Sequence, residues 1–179
     1  SISEGFRSGA TNYNSVAMGS YAYSSGQSSV AVGALSSATG DLSTAVGYSA
    51  FAKGANSTAI GTTSAAYGAY STAVGSNAYA SGSNASAFGE NAQATGGYST
   101  AVGVNSVASG YSSSAFGDGA QATGDASTAL GQFSYAGGES STATGYRATA
   151  IGDSASAFGA SAVALGNSST AAGNDAVAV

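Results

Sequence analysis

The chain has 179 residues, 28 of them Gly, with no Pro, Cys, Trp or His, and carries 3 Lys plus Arg against 8 Asp plus Glu for a net charge of −5. Lacking thiol and imidazole, it has no Ser-His-Asp triad, no zinc site of the usual ligands and no disulfide framework, so it reads as a non-enzyme without metal or cofactor. Charged residues make up 6%, against about 25% in an ordinary soluble domain, and three cations cannot neutralise a phosphate backbone, so nucleic acid and anionic membrane surfaces are not expected partners.

Residues 1–12 show neither an initiator Met nor an apolar signal core, and nothing in the chain reaches the 18 or so apolar residues of a transmembrane helix. These first residues fit the following pattern poorly and are expected to form an N-terminal cap or a linker. From residue 13 to 179 a period takes over. Gly stands at 19, 26, 33, 40, 47 and at every seventh position up to Gly173. Extended backwards, the phase meets Asn12 and Gly5, and Asn is the common substitute for Gly at positive φ, so each of these positions reads as a conformational turn. Two residues before each Gly stands Ala, with Ser24 the exception, and four before it stands Ser or Ala. The residue just before Gly is large and apolar in one heptad, as in Met18, Val32, Val46 and Ile60, and small or polar in the next, as in Ser25, Thr39 and Ser81. The period is therefore 14.

A heptad raises the question of a coiled coil, but a Gly per heptad costs about 1 kcal/mol each relative to Ala, and large apolar residues return every 14 positions rather than at a and d. Strands fit better. Ser43, Thr44, Ala45 and Val46 alternate across a pleat and turn at Gly47, so each heptad is one short strand plus a turn and two heptads make one coil of a β-solenoid. About eleven coils spaced by 4.7–4.9 Å are expected to span roughly 55 Å.

The positions two and four before Gly share one strand face, which is always Ala or Ser, and a 14-residue coil is narrow enough that only such side chains fit inside it. The larger residues then point outward. Met18, Val32, Val46, Ile60, Val74, Phe88, Val102, Phe116 and Leu130 form an apolar ladder, joined later by Phe158. So large an exposed stripe needs a partner, and the expected one is the same chain in a homo-oligomer of parallel copies. A Thr ladder, Thr44, Thr58, Thr72, Thr100, Thr128, Thr142 and Thr170, shares that face; such arrays also occur in ice-binding solenoids, but here the apolar neighbours place them in the oligomer contact.

Segments such as Asn14-Ser15-Val16-Ala17-Met18-Gly19, Ser43-Thr44-Ala45-Val46-Gly47 and Asn56-Ser57-Thr58-Ala59-Ile60-Gly61 resemble the head repeat of trimeric autotransporter adhesins of the Yersinia-adhesin type. The resemblance implies a left-handed parallel β-roll, three chains side by side as a trimer, on a stalk with an outer-membrane β-barrel anchor. It implies a bacterial cell-surface location, with the present chain not itself membrane-embedded. It also implies attachment to host extracellular matrix proteins (collagen, fibronectin or laminin) or to host cells. The chain is expected to stop before any neck, stalk or anchor.

Near the end, Ile151, Phe158 and Leu165 make consecutive heptads apolar while Thr144 and Ala172 weaken the expected positions. This reads either as a change of packing towards a neck or as a loosened interface. Two candidate ligand-facing sets remain. Asp125, Glu139 and Asp153 follow Gly at 14-residue spacing, as an attachment site for a basic matrix protein or a cation, or as an ordinary solvated turn face. Tyr23, Phe51, Tyr79 and Tyr135, three residues before Gly in the alternate heptads, form either a protein-binding surface or a packing ladder between coils. The scattered turn aromatics Tyr48, Tyr70, Tyr98, Tyr111 and Phe133 are expected to pack locally. A second functional reading is a structural spacer or autoaggregation element, with recognition elsewhere in a longer protein.

Overall fold

In the computed structural model, which describes residues 1–179, nearly every strand ends one or two residues before a recurring Gly. The chain divides into two units, Ser1–Asn91 and Ala92–Val179. In the first unit, three-residue strands β1 (Ile2–Glu4), β3 (Val16–Met18), β5 (Val30–Val32), β7 (Thr44–Val46), β9 (Thr58–Ile60), β11 (Thr72–Val74) and β13 (Ser86–Phe88) form one parallel sheet. Two-residue strands β2 (Gly9–Ala10), β4 (Tyr23–Ser24), β6 (Ser37–Ala38), β8 (Phe51–Ala52), β10 (Ala65–Ala66) and β12 (Tyr79–Ala80) form the other.

The second unit repeats the plan. Its long-strand sheet holds β15 (Thr100–Val102), β17 (Ser114–Phe116), β19 (Thr128–Leu130), β21 (Thr142–Thr144), β23 (Ser156–Phe158) and β25 (Thr170–Ala172). Its short-strand sheet holds β14 (Gln93–Ala94), β16 (Val107–Ala108), β18 (Gln121–Ala122), β20 (Tyr135–Ala136), β22 (Thr149–Ala150), β24 (Val163–Ala164) and β26 (Val177–Ala178). There is no helix, and so none long and apolar enough to cross a membrane. The fold is an all-β parallel β-roll, a solenoid with coils of about 14 residues.

Register follows the sequence period. Thr44 pairs with Thr58 and Thr58 with Thr72, so each residue lies beside its equivalent one coil away. Thr44 N–H donates to the Ser57 carbonyl at 2.9 Å and Gly47 N–H to the Val32 carbonyl at 2.8 Å, tying one coil to both neighbours. Residues 1–12 supply β1 and β2, in register with β3 and β4.

The interior is built from the residues two and four before Gly. Ala45, Ala52, Ala59 and Ala66 are fully buried, as are Ser43, Ser57 and Ser64. Nothing larger is fully buried, so facing strands approach closely and the core gains little apolar area per residue. Some of the buried hydroxyls turn back on the chain: Ser71 Oγ donates to the Gly68 carbonyl at 2.7 Å. Others, including Ser57 and Ser43 Oγ, have no partner.

The turns correct one expectation. Gly47 has φ 134°, the conformation that favours Gly. Gly40, in the alternate heptad, does not; there a Cβ would collide with the carbonyl oxygen of Gly54 on the next coil. A Cβ on Gly47 would likewise meet the Gly61 carbonyl, so close stacking of coils excludes a side chain in both halves of the Gly period and positive φ adds to it in only one. Asn12, in the phase of Gly26 and Gly40, has no positive φ either, so it does not stand in for Gly on conformational grounds. Positive φ also recurs two residues after every position of the seven-residue period, at Asn14, Leu42, Asn56, Tyr70 and Asn77 among others.

Candidate functional site

The outward face of the long-strand sheet carries the apolar ladder. In the first unit Met18, Ile60 and Phe88 are exposed and Val32, Val46 and Val74 half-buried, with Met18 beside Val32, Val46 beside Ile60 and Val74 beside Phe88. The half-buried Thr58 and Thr72 run alongside on the same face. In the second unit the ladder comprises Val102, Phe116, Leu130 and Phe158, interrupted by Thr144 beside Leu130 and Phe158. Parallel sheets are normally covered on both faces; here one face is covered by the Ala and Ser interior and the other carries this ladder.

Ile151, Phe158 and Leu165 do not form one shifted stripe. Phe158 belongs to the long-strand sheet, whereas Ile151 and Leu165 follow β22 and β24 of the opposite sheet. The two sheets thus exchange apolar character over these coils, since Ala172 follows Phe158 on one side while exposed Ile151 and Leu165 appear on the other.

On the short-strand sheet the structure brings Phe51 and Tyr79 together through a residue absent from the sequence expectation. Tyr67 lies with its ring centroid 6.0 Å from Phe51 and 5.6 Å from Tyr79. Ala65, between Phe51 and Tyr79 in register, leaves the space that Tyr67 covers. Tyr23 lies on the same sheet, with its ring against Gly9. Tyr135, in the second unit, folds down over Gly137, where a Cβ would meet its ring, and its hydroxyl is 3.4 Å from Thr123 Oγ1.

The acidic turn residues hold the backbone. Asp125 accepts the Tyr111 N–H at 2.8 Å and Asp153 the Glu139 N–H at 3.1 Å, each one coil away. Asp41 does the same for Gln27 N–H at 2.8 Å, and Asn167 Oδ1 for Asp153 N–H at 3.1 Å. Asp125, Glu139 and Asp153 therefore follow one another along the turn, with Asp125 and Asp153 engaged through one oxygen. No three His, Cys, Asp or Glu residues gather in a way that could hold a metal ion.

Turn aromatics pair across coils. Tyr98 meets Tyr111 edge-on at 5.5 Å, and Phe6 meets Tyr21 likewise at 5.5 Å, with the Arg7 guanidinium 5.4 Å from the Phe6 ring centre. Phe133 lies over Gly119.

Comparison with known proteins agrees on this repeat. The family model described as the YadA head domain repeat matches residues 10–36, 24–50, 38–64, 52–78, 80–107, 108–134, 136–162, 143–169 and 159–179. The solved collagen-binding domain of the Yersinia adhesin YadA is similar at 21% identity and a TM-score of 0.48, over 87% of this chain and 67% of that one. No curated protein matches the chain.

Proposed function

We propose, for a chain that belongs to the YadA head domain repeat family, the function of an adhesin head at the bacterial surface that works as a homotrimer and attaches to host extracellular matrix by many weak contacts. The observation that carries this reading is the apolar ladder of the long-strand sheet, where Ile60 is 40% and Phe88 39% exposed in the single chain. Met18, Val32, Val46, Ile60, Val74, Phe88, Val102, Phe116, Leu130 and Phe158 form the subunit contact in this reading. A core of Ala and Ser is thin, and covering the ladder supplies the apolar burial that the coils lack. Trimerisation then triples every outward feature of the other sheet and the turns. Identical coils raise the effective concentration of each contact without any tight pocket.

Collagen, fibronectin and laminin are the candidate ligands, and Tyr23, Phe51, Tyr79, Tyr135, Asp125, Glu139 and Asp153 the candidate contact residues. An outer-membrane anchor elsewhere in a longer protein completes the proposal. Light scattering on the purified chain, followed by binding of the trimer to the three immobilised matrix proteins, tests it. A mass of three chains and saturable binding to one matrix protein is the expected result; a monomer removes the ladder as the contact.

A second reading, a structural spacer or self-association element, draws on a specific observation. Asp125 and Asp153 engage the neighbouring backbone and Tyr135 packs on Gly137, so three of the candidate contact residues already have work within the roll. Absence of matrix binding by the purified trimer favours that reading, whereas undiminished binding after replacement of all seven by Ser moves the contact to other residues of the roll.

A further inference from the structure

We infer that the aromatic cluster Phe51, Tyr67 and Tyr79, with Lys53 at its margin, is a binding site for an acidic oligosaccharide. This rests on the reading above only in that the trimer contact lies on the other sheet and leaves this face open.

The three rings are 37%, 41% and 37% exposed. Tyr67 is tilted by 35° to Phe51 and by 60° to Tyr79, so the rings do not close on one another and their faces and edges remain on offer. The surface is made of two-residue strands in direct register, with Phe51 beside Ala65 and Ala65 beside Tyr79. A pyranose presents one face of C–H groups, and an aromatic ring with its negative π face is complementary to it. The rest of a sugar is hydroxyl, and the cluster is framed by half-buried hydroxyl residues, Thr39 and Ser81, which flank Lys53 and Tyr67 along the neighbouring row.

Charge completes the argument. The outward positions in and just after β4, β6, β8, β10 and β12 are Tyr23, Ser25, Ser37, Thr39, Phe51, Lys53, Ala65, Tyr67, Tyr79 and Ser81. Lys53 is the one charged group among them and the one Lys of a chain with net charge −5. It is exposed and shares the outward side of its strand with Phe51, while Ala52 between them is buried. A single cation beside aromatic rings and hydroxyls, with no carboxylate among the outward positions of this face, matches a sugar bearing a carboxylate.

The test uses a hyaluronan octasaccharide as the carboxylated probe and chitohexaose as the neutral one, titrated into the trimer and followed by tyrosine fluorescence. Saturable binding of both is expected, tighter for hyaluronan. Lys53→Ser weakens hyaluronan about tenfold and leaves chitohexaose within about twofold. Tyr67→Leu, which keeps an apolar side chain but removes the π face, weakens both by about fivefold to tenfold. Circular dichroism and light scattering of each variant confirm an unchanged roll and trimer. Absence of binding by either probe, or binding indifferent to both substitutions, overturns the inference while leaving the matrix-protein reading intact. So does a change of mass in Tyr67→Leu, which identifies the cluster as a subunit contact. A monomeric parent that still binds both probes sinks the trimer and not this site.

Discussion

The carboxylate of Asp125 and the backbone N–H of Tyr111 are 2.8 Å apart although 14 residues separate them, so one side chain fastens one turn of the roll to the next. The same bond joins Asp41 to Gln27 and Asp153 to Glu139. Asp125→Ala is expected to lower stability by about 0.5–1 kcal/mol, the net value of one such bond, while Asp125→Asn retains an acceptor and most of the stability. Thermal melts of the two variants against the parent check this. Equal melting of all three would show the bond to be inert.

The turn geometry makes opposite predictions for two neighbours. Leu42 has φ 56°, which costs an ordinary residue roughly 1–2 kcal/mol and suits Asn; Leu42→Asn is expected to stabilise by about 1 kcal/mol. Gly40→Ala drives a Cβ into the Gly54 carbonyl and is expected to destabilise by about 3 kcal/mol, since backbone cannot move aside as a side chain can. Urea unfolding at matched conditions reads both.

Two buried serines separate a satisfied hydroxyl from an orphan. Ser71 Oγ donates to the Gly68 carbonyl, so Ser71→Ala is expected to cost about 1 kcal/mol. Ser57 Oγ is buried without a partner, and Ala already fills the equivalent position at Ala85. Ser57→Ala is expected to be neutral or to stabilise by about 1 kcal/mol. A loss in both variants would point to a partner for Ser57.

Ile60 lies within the apolar ladder, between Val46 and Val74 in register. Ile60→Asp is expected to place an unpaired charge in the proposed contact and reduce the mass in solution from three chains to one. The variant Tyr70→Asp, at an exposed turn, is the control and is expected to remain a trimer. Dissociation of both would indicate a general loss of folding, which circular dichroism detects.

Much of the fold is legible because the period is strict. Ala45, Ala59 and Ala73 return every 14 residues with Thr44, Thr58 and Thr72 before them, and the pleat assigns one set inward and the other outward. Other features depend on contacts that no single position announces. Tyr67 occupies the row of Lys53 and Ser81, and its bridging role exists only because Ala65 leaves room between Phe51 and Tyr79. The Asp carboxylates needed the direction of a turn N–H. The left-handed turn position was signalled, by Asn14, Asn56, Asn77, Asn84, Asn91 and Asn105 two residues after the period marker. The eye follows Gly instead, and Leu42 and Tyr70 at the same place obscure the rule.

The 14-residue offset that pairs Thr44 with Thr58 and Thr58 with Thr72 makes the roll a ruler graduated in whole coils. Cutting out or duplicating 14 residues within the first unit returns every later side chain to the sheet and the side it already occupied. A change of seven leaves the Ala and Ser interior in phase but transposes the outer surfaces, putting the apolar ladder into the row of Lys53, Tyr67 and Ser81. Length can therefore vary freely in one step size, while the half step, invisible to the core, rewrites what the molecule shows to its surroundings.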